Sequence, residues 1–279
     1  MWSINLIMNK LLKAYEENFD WPAGDHFHFV ESYSIEKSSS NKEQSRTQIL
    51  SHFIEVPHIN QQHSWDCGLA CVLMVLRLLG VYDCNIQQLC DLCSTTSIWT
   101  VDLAYLLHKF SVSFTYCTVT LGGNPDFSVE TFYKDQLPND LLRVNTLFHE
   151  AREAGICIEC RSVSAKEISG FILSGKYVAI ALVDQDKLWS DSQLVDGCVS
   201  DFYSCSSPGY TGHYIVICGY DALTNEFEIR DPASSRKIER VTSWCLEQAH
   251  KSFGTDEDLL LISVDKGGDR DNLVEFFSL

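Results

Sequence analysis

The sequence predicts an α+β domain, with helices gathered in its N-terminal half and antiparallel strands in its C-terminal half. Two observations carry that prediction. Between about residues 67 and 154, apolar residues recur at helical spacing, with polar caps and glycine stops between the runs. From residue 177 onward the apolar runs are short, β-branched and aromatic, and two of them flank a four-residue turn. At 279 residues, 45% hydrophobic and 21% charged, the chain is long enough to bury a sizeable core.

Taken in order, "MWSINLIMNKLLKAYEENFDW" mixes apolar residues with Asn and Lys and has no small-residue cleavage site, so it reads as a short amphipathic helix rather than a secretory signal. Residues 33–49 are polar and Ser-rich, a linker that closes an N-terminal segment at about residue 50. "FIEVPHI" (53–59) reads as a short strand. Asp66 stands where an N-cap belongs, and "CGLACVLMVLRLLG" (67–80) is apolar nearly all round, a buried central helix ended by Gly80. "IQQLCDLC" (86–93) and "TVDLAYLLHKF" (100–110) are two more helices, the second capped by Thr100. "VSFTYCTVT" (112–120) is a strand. Helices near 128–136 and 139–154 and the strand "ICIECRSV" follow, most of this forming a helical insert over about 122–160. A helix at 165–175, strands at 177–184, 213–221, 226–231 and 258–264, and a helix at 243–253 complete a domain spanning 51–265. The polar loop 185–212 is long enough to be functional, and 266–279 reads as a disordered tail.

A net charge of −17 argues against a nucleic-acid partner and against anionic membranes. No run of 18 apolar residues is present, so no membrane span is expected. With no secretory signal, the twelve cysteines are expected to be reduced thiols, in the cytoplasm or, as a second compartment, the nucleus. Cys90/Cys93 and Cys157/Cys160 are C-x-x-C pairs, but the latter lies on a strand that points its sulfurs to opposite faces and neither has a knuckle glycine. Free thiols are the expectation there, not zinc.

Cys67 opens the central helix, where the positive end of the helix dipole favours a thiolate. Gly68 beside it suggests a close approach of substrate to the backbone. A nucleophile needs a base, and His213 opens an apolar strand at the mouth of the long loop; His58 and His63 also lie near the helix start, His63 being the rival. A hairpin turning at 222–225 sets residue 213 opposite 233 or 234, so Asp231 falls within diagonal reach to orient the imidazole. Gln61, six residues before Cys67, offers an amide to an oxyanion.

"Q-x5-C-G-x-A-C", "GHYIVICGYD" and "RDPAS" resemble the papain-like cysteine peptidase fold, most of all its bacteriocin-processing group. That resemblance implies Gln61 as oxyanion donor, Cys67 as nucleophile, His213 as base and Asp231 as orienter. A closer resemblance covers nearly the whole chain. "SWDCGLACVLMVLR", "CSTTSIWTVDLAYLL", "ALVDQDKL", "TGHYIVICGYDA", "FEIRDPASS" and "KSFGTDEDLLLI" look like the plant soluble guanylyl cyclase 1 family, which has animal relatives. It implies conversion of GTP to cyclic GMP with Mg2+ or Mn2+, and a 14-residue centre at Ser64–Arg77 in which Ser64 bonds guanine, Asp66 sets base choice and Arg77 stabilises the transition state. Asp184 and Asp186 in "VDQDK" are the metal-ligand candidates. Against this centre stands its length, since Arg77 lies ten residues beyond Cys67, about 15 Å along a helix. There is also no phosphate-cradling glycine loop. The family thus implies a guanylyl cyclase acting on GTP. The residues favour a thiol hydrolase acting on a peptide or amide, and a binding module on the same scaffold is the third class.

Overall fold

The computed structural model describes residues 50–130, 132–134, 136–189 and 210–264. All of them belong to the second of two contact units, which runs from Thr47 to Leu279. The expected N-terminal helix, the linker, the tail and most of the 185–212 loop lie outside the described residues.

Strand β1 (Ser51–Phe53) precedes three helices, α1 (Cys67–Leu78), α2 (Ile86–Cys93) and α3 (Thr100–Lys109). Strand β2 (Phe114–Thr118) leads through a 3-10 turn at Pro125–Val129 to α4 (Leu137–Ala151), β3 (Ile158–Cys160) and α5 (Ala165–Leu173). Then come β4 (Tyr177–Asp184), the short α6 (Gln185–Leu188), β5 (Gly212–Asp221), β6 (Glu226–Arg230), β7 (Glu239–Thr242), α7 (Ser243–His250) and β8 (Leu259–Ser263). The α+β expectation holds, with two refinements. The strands form one sheet in the order β3-β2-β8-β4-β5-β6-β7, with β1 pairing β5, so β2 and β3 of the helical half extend the C-terminal sheet. The β2–β3 pair is parallel, and every other pairing is antiparallel.

The sheet is covered on both faces. Helices α1 to α4 pack on the face carrying Val178, Ile180, Leu182, Tyr214, Val216 and Cys218. Helices α5 and α7 pack on the face carrying Ala179, Ala181, Val183, Ile215 and Ile217. That is why "YVAIALVD" is a continuous apolar run and does not alternate. Helix α1 is the most enclosed of the helices, its first ten residues all buried.

Three local expectations need correction. The strand placed at 53–59 ends at Phe53. Pro57 lacks an N–H for a ladder, and residues 56–61 are tied to β6 and the turn after it by other bonds. Arg230 Nε donates to the Val56 carbonyl at 2.9 Å and Gln61 N to the Pro232 carbonyl at 3.0 Å. The helix expected near 128–136 is the 3-10 turn at Pro125–Val129, started by the Asn124 side chain bonding Asp126 N. Thr100 does not cap α3. It is the first helical residue, and Asp102 satisfies the preceding amide by accepting from Trp99 N at 2.8 Å.

Candidate active site

Two elements bring the predicted nucleophile and base together. Helix α1 begins at Cys67 beneath strand β5, and the β5–β6 register pairs Val216 with Arg230. Carried to the strand ends, that register puts residue 213 opposite 233, as the hairpin spacing predicts. His213 Nε2 and Asp231 Oδ1 lie 2.7 Å apart, and the Cys67 thiol is close enough to the ring to help raise its pKa. Ala233 N donates to Asp231 Oδ1 at 2.8 Å, and His58 Nε2 bonds the Asp231 backbone carbonyl at 2.9 Å, so the orienting carboxylate is itself held in place.

Cys67, His213 and Asp231 are 6%, 4% and 3% exposed, so any reactant must enter a cavity to meet them. Burial disfavours the imidazolium, but the hydrogen bonds to Asp231 and Cys67 outweigh it and raise His213 to about 9. The Asp231 carboxyl is held below its ordinary range, burial being overcome by the His213 hydrogen bond and charge. The pair therefore stands as imidazolium and carboxylate at neutral pH.

Gln61 lines the same cavity. Its Nε2 donates to the His63 carbonyl at 2.7 Å, and its Oε1 is buried with no partner. His63, the rival base, is on the entering loop, where it stacks on Trp65 and faces Asp66 Oδ2 at 3.3 Å. Gly68 does not admit substrate. A Cβ there would meet Leu103 and Tyr214 side-chain carbons at 3.0 Å, so this glycine serves close packing of α1 against α3 and β5.

The residues of the other predicted centre are spread out. Ser64 lines the cavity. Asp66 is fully buried and turned away from the helix it precedes: its carboxylate accepts from the backbone N–H groups of Gln62 and His63 and makes no cap bond to α1. Arg77, at the far end of α1, donates to the carbonyls of Val81 and Cys84 and lies over the Tyr82 ring at 5.7 Å. Asp184 accepts from Ser252 Oγ at 2.8 Å and faces Lys187 Nζ at 3.5 Å, while Asp186 is exposed on α6. Among the described residues, no three His, Cys, Asp or Glu side chains converge as a metal site.

The cavity itself holds about 560 Å³. Its wall includes residues the sequence reading missed: Trp99, Phe132, Tyr133, Asp256 and Asp258. Helix α4 fixes that wall, since Asp140 accepts from Trp99 Nε1 at 3.2 Å and Arg143 Nη2 donates to the Ser97 carbonyl at 3.0 Å. "GTDED", two acids spaced to share one side of the entry to a strand, was the available signal for the aspartates.

The model of a family described as guanylylate cyclase matches residues 56–262. Guanylyl cyclase 1 of Arabidopsis thaliana is 55% identical over 268 residues, covering 95% of this chain and 97% of that protein. Among solved structures, a C39-like peptidase from Bacillus anthracis is similar at 14% identity and a TM-score of 0.45, covering 78% of this chain and 99% of that one. The peptidase domain of Streptococcus ComA is similar at 14% identity and a TM-score of 0.39, covering 76% and 100%.

Proposed function

The chain belongs to the guanylylate cyclase family, and on that premise we propose that it converts GTP to cyclic GMP. The observation that supports this reading is the 55% identity to guanylyl cyclase 1 along nearly the whole of both chains. In the reaction the ribose 3′-hydroxyl attacks the α-phosphorus, the bond to the β-phosphate oxygen breaks, and diphosphate leaves. The attacking group belongs to the substrate, so no protein nucleophile is required.

The family reading also implies Mg2+ or Mn2+. A hard cation needs oxygens free to face it. Asp184 has one such oxygen, its buried Oδ1, while its Oδ2 serves Ser252 and Lys187; Asp186 is exposed on α6, and among the described residues no third His, Cys, Asp or Glu converges with them, so the two do not make a cation site. No step is therefore routed through a metal at those residues. Purified full-length protein with GTP and Mn2+ should form cyclic GMP, followed by mass spectrometry, and Cys67→Ser should form it at the same rate. No product above that of heat-unfolded protein would end this reading.

One observation favours a second activity: His213, bonded to Asp231, shares one cavity with a thiol at a helix start. That arrangement suits a thiol hydrolase acting on a peptide, isopeptide or other amide. With the Cys67 proton held by the His213 imidazolium, sulfur attacks the carbonyl carbon, an acyl–sulfur bond forms, and the C–N bond breaks as the amine takes that proton from His213. Water, losing a proton to His213, then cleaves the thioester to a carboxylate and restores the thiol. Asp231 holds the ring oriented throughout.

A further inference from the structure

The cavity around Cys67 is electrically one-sided. Not one lysine or arginine lines it among the described residues. His213 is its one cationic group, and the Asp231 carboxylate lies 2.7 Å from it, so the pair presents little net charge. Across the cavity, at the turn into β8, stand Asp256 and Asp258. Asp258 is 4% exposed, and its Oδ1 accepts from the Tyr116 hydroxyl at 2.9 Å. Asp256 is half-buried with φ +50°, and its carbonyl accepts from Val119 N at 2.9 Å. Burial and the neighbouring Asp256 push the Asp258 carboxyl well up, whereas burial lifts Asp256 only to about 6. Asp258 is the more enclosed of the two, so the charge that the pair keeps at neutral pH is better solvated on the half-buried Asp256.

We propose that Asp256 is a specificity-determining residue of the Cys67 cavity, drawing in substrates that carry an ammonium or guanidinium group and turning polyphosphates away. The inference rests on the thiol reading of this cavity. Between walls such as Trp65, Trp99 and Tyr133, a carboxylate is screened less than at an open surface, and with no basic side chain beside it the field stays negative. A triphosphate would enter against that field with no basic side chain to offset it. The nucleotide of the cyclase reading therefore binds elsewhere on the chain.

Methanethiosulfonates of similar size and different charge test this in the intact chain. Cysteine sulfur attacks the thiosulfonate sulfur, a mixed disulfide forms and methanesulfinate leaves, so one chemistry reads three charges. Rates at Cys67 are measured by mass spectrometry for the methyl, ethylammonium and ethylsulfonate reagents, each divided by its rate with free cysteine. The ammonium reagent should exceed the sulfonate by about tenfold or more at low salt, equivalent to about 1.4 kcal/mol. Asp256→Asn, whose side chain tolerates a left-handed backbone, should remove most of that preference. Should that variant fail to fold, the wild-type ratio should still shrink as salt rises. GTP alone should leave the methyl reagent's rate unchanged. Equal normalised rates, a ratio indifferent to Asp256→Asn, or protection by GTP would overturn the proposal while the methyl reagent still reacts. No reaction of Cys67 with the methyl reagent would remove the thiol reading and this inference with it.

Discussion

The two ends of α1 make the instructive comparison. At its first residue, the Cys67 thiol is enclosed with His213 and Asp231 in a cavity; near its last, Arg77 reaches out to tie down the loop at Val81 and Cys84. Both placements follow the helix dipole, which favours anionic sulfur at the N-terminus and a cation at the C-terminus. The resemblance-based reading fused these ends into one nucleotide centre, Ser64 to Arg77. A helix cannot fold back on itself, so its rise of 1.5 Å per residue keeps the ends about 15 Å apart whatever its neighbours do. One end holds a set of groups that can react; the other holds a staple.

The largest expected effect lies at the thiol end. In the native protein Cys67 should alkylate first with iodoacetamide, because burial holds several competitors as thiols. Burial pushes Cys93, Cys117 and Cys218 up to about 12 and raises Cys71 as well. Removing the imidazolium beside the sulfur should cost more than any other single change here: His213→Ala should slow Cys67 alkylation at neutral pH by about a hundredfold or more. Peptide mapping after limited labelling gives the order. First labelling at exposed Cys160, with Cys67 inert, would break the comparison at its stronger side.

Stability against pH sharpens the same side. Folding raises His213 to about 9 from its ordinary value near 6.5. Its contribution is therefore complete below about pH 6.5 and is lost as pH climbs through 9, on the order of 3 kcal/mol in all. Urea midpoints at pH 6 and pH 9.5 should fall apart in the wild type and draw together in His213→Gln. A wild-type midpoint that is flat over this window would show that the buried ion pair contributes no net stability.

The same contrast shows what was legible in the sequence. The central helix was readable because its apolar run is local, and the His213–Asp231 pairing because a four-residue turn fixes a hairpin register. Gly68 misled, since glycine before a buried helix serves packing as readily as substrate approach. Asp66 misled because its partners, the amides of Gln62 and His63, precede it in a turn that side-chain type alone does not reveal. Asp256 and Asp258 left only the spacing in "GTDED" as a signal, and their meeting with Trp99 and Tyr133 was out of reach. They come from segments distant in sequence, and only the packing of α4 and β8 brings them to one wall.

The smallest effect is expected at the arginine end, and it decides between one centre and two. Arg77→Ala removes the hydrogen bonds to Val81 and Cys84 and the stacking on Tyr82. The guanidinium is part-exposed, so water replaces much of what is lost, and the cost should be about 1–2 kcal/mol in urea unfolding. Alkylation of Cys67 should not change, because the helix between is buried and rigid. Cyclic GMP formation should not change either, because a side chain bound to two loop carbonyls ten residues from Cys67 is not positioned to meet a triphosphate near Ser64. Loss of cyclic GMP in a variant that keeps its urea transition would restore the single centre at Ser64–Arg77. It would also mean that α1 opens to nucleotide, for no other route brings its two ends to one ligand.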